Sequence, residues 1–292
     1  MWKNANAITM IHLANKILVG LDLTAMDDLI LKYLFALTNA MDNPPELVVI
    51  HNIKYEIDED VSDLLDQPLD EIIIEELRQK LNTYLPDYQG KHELIVTQET
   101  STIEALSDVI KQKSIDLIVF GKKTSFDGSG LTTVRILRQH LCSLLVVPEN
   151  APLQISKAVI PIDFSKNSSR AYNMGSQLQS GKRMEVRVIH IYHIPQVYFP
   201  YIPVKPITTG MDKKAREEYK HFVNRNKLNS KRLDCHFIDG KDRTVVKAIV
   251  EDAREQKANL IVVGSKGESS LLGSVAVGLA NYQMRIPVLF VN

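Results

Sequence analysis

The 292-residue chain has little of what would place it among secreted or membrane proteins. Its two cysteines, Cys142 and Cys235, are too few for a disulfide framework, and their apolar surroundings predict buried, inert thiols. No stretch approaches the ~18 apolar residues of a membrane span, and the N-terminus has no signal-peptide pattern. We therefore expect a cytoplasmic protein with reduced thiols and no membrane partner.

The chain also lacks a recognisable catalytic constellation. No Ser/His/Asp or Cys/His arrangement stands at a nucleophile elbow. The segment GKKT at 121–124 is not a P-loop, because Asp116 occupies the place of the required first glycine. His190 and His193 form HIYH, which we interpret as structural, since His51 recurs at the matching place without such a partner. We therefore expect neither enzymatic activity nor metal-ligating side chains.

The chain does have enough apolar residues, 45%, for packed cores, and its zero net charge conceals an asymmetry. Residues 1–150 carry 13 Lys+Arg and 23 Asp+Glu, a net −10, and residues 151–292 carry 22 and 12, a net +10. This division suggests that the halves attract each other or that the basic half binds an anion. Drift of solvated surface charge is the alternative. The basic half has no aromatic residues interleaved on a basic helix, which argues against nucleic acid as a partner.

The two halves repeat each other. The matching segments are KILVGLDLT (16–24) with KAVIPIDFS (157–165), LVVIHN (47–52) with VRVIHI (186–191), IDLIVFG (115–121) with ANLIVVG (258–264), and SLLVVPE (143–149) with PVLFVN (287–292). Their offsets are nearly constant, at 139 to 144 residues. A period of this length indicates two whole domains, which we place at 1–150 and 151–292.

Each half alternates short apolar strands with helical segments, which predicts an α/β fold with two tandem, doubly wound parallel five-stranded sheets. The predicted strands lie near 16–22, 46–51, 92–97, 115–120 and 143–147, and near 157–163, 185–191, 232–238, 259–263 and 287–291. Helices are predicted near 167–180, with Ser165 as its N-cap, near 211–229, near 243–257, and from about Leu272.

Ligands of open α/β sheets bind beyond the carboxyl ends of the strands. In the second half, Asp163 ends strand one and the small-residue segment GSKGESSLLGSVAVG (264–278) follows strand four. Such a segment lets backbone N–H groups approach a phosphate, with Ser274 and Lys266 nearby. The alternative is that these glycines are only turn residues.

PIDFS, VIHI, NLIVVGSKG, LLGSVA and PVLFV resemble a universal stress protein domain, and the whole chain resembles a tandem universal stress protein. The resemblance implies the strand order 3-2-1-4-5 in each half and pseudo-symmetric packing of the two halves, like the two chains of family dimers. It further implies an adenine nucleotide (ATP, ADP or AMP), with or without Mg²⁺, in the second half. The implied nucleotide-binding residues are Pro161, Ile162, Asp163, Ile191, Val263, Gly264, Gly267, Gly273, Ser274 and Val275.

The second half departs from the family's ATP motif, G-x2-G-x9-G-[S/T], because five residues rather than nine separate Gly267 from Gly273. We therefore expect triphosphate binding to be weak beside that of a mono- or diphosphate. The first half departs further. Thr124 replaces the second glycine, Leu131 follows Gly130, and Asn52 replaces the apolar residue after His51, so we expect nucleotide binding to be lost there.

Together these features predict a stress-response regulator that binds an adenine nucleotide in its second domain. The alternative is a nucleotide-independent protein-interaction module of the same fold, for an unknown protein partner. The segment 192–210 favours that alternative, since it is long for a connection and rich in proline and tyrosine. A homodimer of the whole chain stays open.

Overall fold

The computed structural model describes residues 14–39, 41, 43–54, 65–123, 129–180, 184–194, 204–229, 233–266 and 271–292. The chain folds into two compact units. The N-terminal unit comprises Ala14–Gln154 together with Leu279–Asn292. The described residues of the C-terminal unit lie within Ile155–Gly278. The last segment of the chain therefore belongs with the first repeat, whereas the division at 150/151 stays a prediction.

The N-terminal unit is a sheet with helices between its strands. Its strands are β1 (Lys16–Gly20), β2 (Glu46–Asn52), β3 (His92–Thr97), β4 (Leu117–Lys122), β5 (Ser143–Pro148) and β10 (Val288–Val291). Its helices are α1 (Ala25–Thr38), α2 (Leu69–Tyr84), α3 (Thr102–Lys113) and α4 (Ser129–Gln139). The strand order is β3-β2-β1-β4-β5-β10. The first five strands are parallel, which confirms the predicted order 3-2-1-4-5, and β10 is antiparallel to β5.

The C-terminal unit repeats the plan. Its strands are β6 (Lys157–Pro161), β7 (Glu185–Tyr192), β8 (Cys235–Asp239) and β9 (Leu260–Gly264), in the parallel order β9-β6-β7-β8. Its helices are α5 (Lys166–Ser180), α6 (Val204–Arg225) and α7 (Val245–Glu255). Helix α8 (Ser274–Asn281) begins in this unit and ends in the N-terminal one. All ten predicted strands are confirmed, with shifts of up to three residues at their ends.

Hydroxyl side chains start several of the helices. The Ser165 hydroxyl accepts a hydrogen bond from the Ser168 N–H at 3.1 Å, which confirms the predicted N-cap of α5. Ser101 and Thr244 cap α3 and α7 in the same way. These caps satisfy N–H groups that have no acceptor within the helix, so the helix starts follow from local sequence.

The helix α6 begins earlier than its sequence pattern indicates. We predicted a helix near 211–229 after a long connection over 192–210, but α6 runs from Val204 to Arg225. Pro206 is the third residue of this helix, where its missing N–H costs no intrahelical hydrogen bond. The proline content of the segment therefore concealed the first turns of a helix.

The parallel strands are covered on both faces. Ile17, Leu18 and Val19 of β1 are fully buried, as are Ala158, Val159 and Ile160 of β6. Burial on both faces explains why these strands are continuous apolar runs. Cys142 and Cys235 are half-buried rather than fully buried as predicted. Burial still raises the pKa of the Cys142 thiol to about 12. Burial likewise raises the pKa of Cys235 to about 12, so both thiols are protonated and unreactive at neutral pH.

Candidate functional site

A tight turn places Asp163 at the end of β6. Phe164, the next residue, has a φ of 63°, and Leu23 has a φ of 60° at the corresponding place in the first repeat. The Asp163 carboxylate accepts a hydrogen bond from the Ser165 N–H at 3.0 Å. Asp163 is exposed, and among the described residues no side chain is seen donating to its carboxylate. Its remaining acceptor capacity is therefore available to a ligand.

His190 supports this turn from β7. Its Nδ1 lies 2.9 Å from the carbonyl oxygen of Ile162, and its ring stacks on Phe164 with the centroids 4.1 Å apart. Burial lowers the pKa of His190, so the ring is neutral at pH 7 and Nδ1 carries the donated proton. His51 makes the same contact to the Leu21 carbonyl at 3.0 Å. Both histidines therefore hold the backbone turn that follows the first strand of their repeat.

The N-terminus of α8 supplies backbone donors on the opposite side. Ser274, Val275 and Ala276 are its first three residues, and their N–H groups have no acceptor within the helix. The partial positive charge at this end of a helix favours an anion. Gly273 differs, since its N–H donates to the Ser265 carbonyl at 3.0 Å and its carbonyl accepts from Val277. Gly273 therefore precedes the first turn of the helix, and its N–H is not available to a bound anion.

The shortened loop between β9 and α8 closes on itself. Lys266 and Leu272 form an antiparallel bridge, next to the hydrogen bond from Gly273 to Ser265. These contacts fix both ends of the loop within a few residues of Gly264. Gly267 lies outside the described residues.

The predicted nucleotide-binding residues that the structure describes all line one cavity of about 290 Å³. They come from the ends of β6, β7 and β9 and from the start of α8: Pro161, Ile162, Asp163, Ile191, Val263, Gly264, Gly273, Ser274 and Val275. β6 and β9 are parallel neighbours, which is why the segments after them meet at one edge of the sheet.

Other lining residues escaped the sequence prediction. Val245 and Ile249 of α7, Ser168 of α5, and Ala276 also face this cavity. The spacing of Val245 and Ile249 marks one face of a helix, so periodicity identified them as buried. It could not identify which side of the sheet α7 covers.

The N-terminal unit has a cavity at the corresponding place, and it is larger, about 480 Å³. Here the carboxylate of Asp22 is occupied. It accepts a hydrogen bond from the Thr24 hydroxyl at 2.6 Å and forms an ion pair with the Lys123 ammonium at 2.8 Å. Burial would raise the pKa of Asp22, but the bonds from Lys123 and Thr24 outweigh it and lower the pKa.

The sequence profile of the Universal stress protein family matches the chain twice, over residues 14–148 and 154–292. The chain belongs to the universal stress protein family. The two matches cover nearly all of it, so this universal stress protein is a tandem member.

Solved structures agree on the fold. A functionally unknown protein from Pseudomonas aeruginosa PAO1 is 15% identical with a TM-score of 0.63, covering 98% of this chain and 94% of that chain. A putative universal stress protein from Pseudomonas aeruginosa UCBPP-PA14 is 16% identical (TM-score 0.59; 98% and 95% covered). A universal stress protein from Archaeoglobus fulgidus DSM 4304 is 15% identical (TM-score 0.60; 95% and 96% covered). A search of curated proteins found no significant match.

The described residues lack both a membrane-spanning helix and a metal-binding cluster. Within those ranges, no helix has the length and apolar character that crossing a bilayer requires. Within the same ranges, His, Cys, Asp and Glu side chains form no cluster of three or more that could hold a metal ion.

Proposed function

We propose that the C-terminal unit binds an adenine nucleotide, with AMP preferred to ATP, and that the protein acts as a nucleotide-responsive regulator in the stress response rather than as an enzyme. One observation carries the proposal. Nine residues chosen from four separate segments of the sequence line a single cavity. This unit belongs to the half with a net +10, which favours an anionic ligand.

The walls of the cavity suit the base and the ribose. Ile191 and Val263 provide an apolar slot, and Val245 and Ile249 of α7 close it. A purine ring buries its faces against such side chains. The exposed carboxylate of Asp163 lies at the mouth and accepts hydrogen bonds from ribose hydroxyls, a charge-assisted contact.

The phosphate lies at the start of α8 in this proposal. The N–H groups of Ser274, Val275 and Ala276 donate to its oxygens, and Lys266, which also lines the cavity, adds a cation. The loop pinned by Gly273 and Ser265 leaves less chain to wrap further phosphates. Asp163 is the one acidic side chain among the described lining residues, so Mg²⁺ would depend mainly on phosphate oxygens for its ligands.

Calorimetric titration of the full chain with AMP, ADP and ATP in separate experiments tests the proposal. We expect AMP to bind at least as tightly as ATP. Asp163→Asn should weaken AMP about tenfold or more, because a hydrogen bond to a charged group contributes about 1.5–3 kcal/mol. Asp22→Asn is the matched control at the corresponding turn and should leave AMP affinity unchanged.

ATP binding tenfold tighter than AMP would contradict the role given to the shortened loop. Equal AMP affinity in Asp163→Asn and the wild type would contradict the site. No binding of any of the three nucleotides would overturn the proposal and favour the protein-interaction module.

A further inference from the structure

The cavity of the N-terminal unit differs in chemistry from its counterpart. Seven of its sixteen lining residues have large apolar side chains: Leu21, Met26, Ile30, Ile50, Leu106, Phe120 and Ile136. Its volume, about 480 Å³, lies in the range of small-molecule sites. The residues that would bind a nucleotide are altered, so the cavity has remained while the nucleotide chemistry has not.

Two local features argue against a nucleotide in this cavity. Asp22 is already bonded to Lys123 and Thr24, so it has less capacity for a ribose. The Asn52 amide is used internally, since its oxygen accepts from the Thr97 hydroxyl and the Glu99 N–H and its nitrogen donates to the Glu99 carbonyl. The polar side chains at the ends of β1 and β2 therefore already have partners within the protein.

The surface of the cavity next to Gly121 is also apolar. A side chain at Gly121 would meet Met26 at 2.5 Å, whereas the atoms nearest the corresponding Gly264 are backbone atoms of Asn167 and Ser168. Met26 is 7% exposed and lines the cavity. The region that would take a ribose in the C-terminal unit therefore favours hydrocarbon here.

The lining of the cavity includes three lysines and one carboxylate. Lys54, Lys122 and Lys123 all line it, against the single carboxylate of Asp22. Lys122 is committed, because its ammonium donates to the Ala280 and Tyr282 carbonyls at 2.6 and 3.0 Å. Lys123 is one-third exposed and pairs with an exposed carboxylate, an arrangement of low stability that an incoming anion can replace.

We propose that this cavity binds a ligand with a medium-length apolar body and a single anionic head, a carboxylate or a phosphate monoester. The body lies on Met26 and Phe120. The anionic head replaces Asp22 as the ion-pair partner of Lys123 and forms a second ion pair with the exposed Lys54. The net −10 of the surrounding half opposes an anionic head, so Lys54 and Lys123 must supply the attraction locally.

The test is calorimetry of the full chain with sodium decanoate, decyl phosphate and, as a charge-reversed probe, decyltrimethylammonium. Both anions should bind, the tighter one identifying the head group, and the cation should not. Asp22→Asn frees Lys123 and should tighten decanoate about threefold or more. Lys123→Gln should weaken it by a similar factor, while Lys111→Gln, an exposed charge control on α3, should not.

Thr132→Trp places the binding within this cavity. Thr132 is exposed and lines the mouth, so an indole there closes the entrance without entering the core and should abolish decanoate binding, with Thr132→Val as the control. Asp163→Asn should leave decanoate affinity unchanged, which separates this proposal from the nucleotide site. Weaker decanoate binding by Asp22→Asn, equal binding of the cationic probe, or full binding by Thr132→Trp would each overturn it.

Discussion

Between β7 and α7, the C-terminal unit buries an ion pair, in which Arg187 donates two hydrogen bonds of 3.1 Å to Asp252. At the corresponding positions, the N-terminal unit has Val48 and Val109, which are both buried. The two repeats therefore fill the same strand–helix layer with different chemistry. Both solutions are compatible with one backbone plan, because each satisfies or avoids buried polar groups.

The same contrast governs the two cavities. Each unit has an aspartate after its first strand, a non-glycine residue with positive φ next to it, and a histidine that holds the turn. In one unit the aspartate stays available, whereas in the other Lys123 and Thr24 engage it. A shared scaffold therefore presents an available acceptor at one site and an occupied one at the other.

The largest effect is expected at the buried ion pair. Arg187→Val should cost about 3–5 kcal/mol, because Asp252 is left as an uncompensated buried charge. The double change Arg187→Val with Asp252→Val copies the N-terminal unit and should recover most or all of that loss. Urea unfolding followed by circular dichroism measures both. A double variant as unstable as the single one would show that the two layers are not interchangeable.

The next effect concerns Lys122, whose counterpart in the other repeat is Ser265. Lys122→Met keeps the buried aliphatic stem but removes the two hydrogen bonds to the Ala280 and Tyr282 carbonyls. We expect a loss of about 2–3 kcal/mol, since hydrogen bonds from charged groups contribute about 1.5–3 kcal/mol. Hydrogen exchange should quicken in residues 279–292. Unchanged exchange there would contradict an anchoring role for Lys122.

Asp27, whose counterpart in the other repeat is Ser168, makes the stability of the protein depend on pH. Burial raises the pKa of Asp27 to about 6, above the ~3.9 of an unfolded chain. The folded state therefore binds more protons between these values, and stability falls as pH rises from about 4 to 6. Asp27→Asn removes the cost of ionising this buried carboxyl. It should raise the free energy of unfolding by about 1–2 kcal/mol at pH 7 and leave it unchanged at pH 4.

Asp28 is the neighbouring control for that experiment. Hydrogen bonds from Tyr84 and Lys80 outweigh the effect of burial and lower its pKa. Its stabilising contribution is therefore present above about pH 4 and lost on acidification, so Asp28→Asn should change stability at pH 7 in the opposite direction. Thermal unfolding at pH 4 and pH 7 distinguishes the two variants, and a shift of the same sign in both would contradict the assignment.

The smallest effect is expected at the exposed pair of Lys123 and Asp22. Exposed ion pairs contribute about 0.2–1 kcal/mol, so Lys123→Gln should destabilise by less than about 1 kcal/mol and by less still in high salt. Chemical unfolding at two salt concentrations checks this. A larger, salt-independent loss would mean that the pair is structural and does not open for a ligand.

Much of the fold could be predicted because its signals are local. Apolar runs of five to eight residues predicted the strands, and Ser165 predicted the start of α5, since a hydroxyl cap acts within three residues. The start of α6 was missed, because a proline-rich segment reads as a connection even where proline is tolerated in the first turn. The residues lining the C-terminal cavity were proposed from the resemblance to the universal stress protein family. Ser168 and Ile249 were not, since their contribution depends on how helices lie over the sheet.

The sequence by itself determined the duplication, the strands of each repeat, and the two aspartates that end the first strand of each repeat, whereas the strand order came from the resemblance to the universal stress protein family. Only the tertiary structure decided that β10 pairs antiparallel with β5, that Gly273 donates its N–H to the Ser265 carbonyl, and that Lys123 pairs with Asp22 whereas no described side chain donates to Asp163. The physical reason is range. Strand and helix propensities are fixed by a few neighbouring residues, whereas the β10–β5 pairing and the Lys123–Asp22 pair join residues more than 100 positions apart. Their energies depend on distances that no local pattern records.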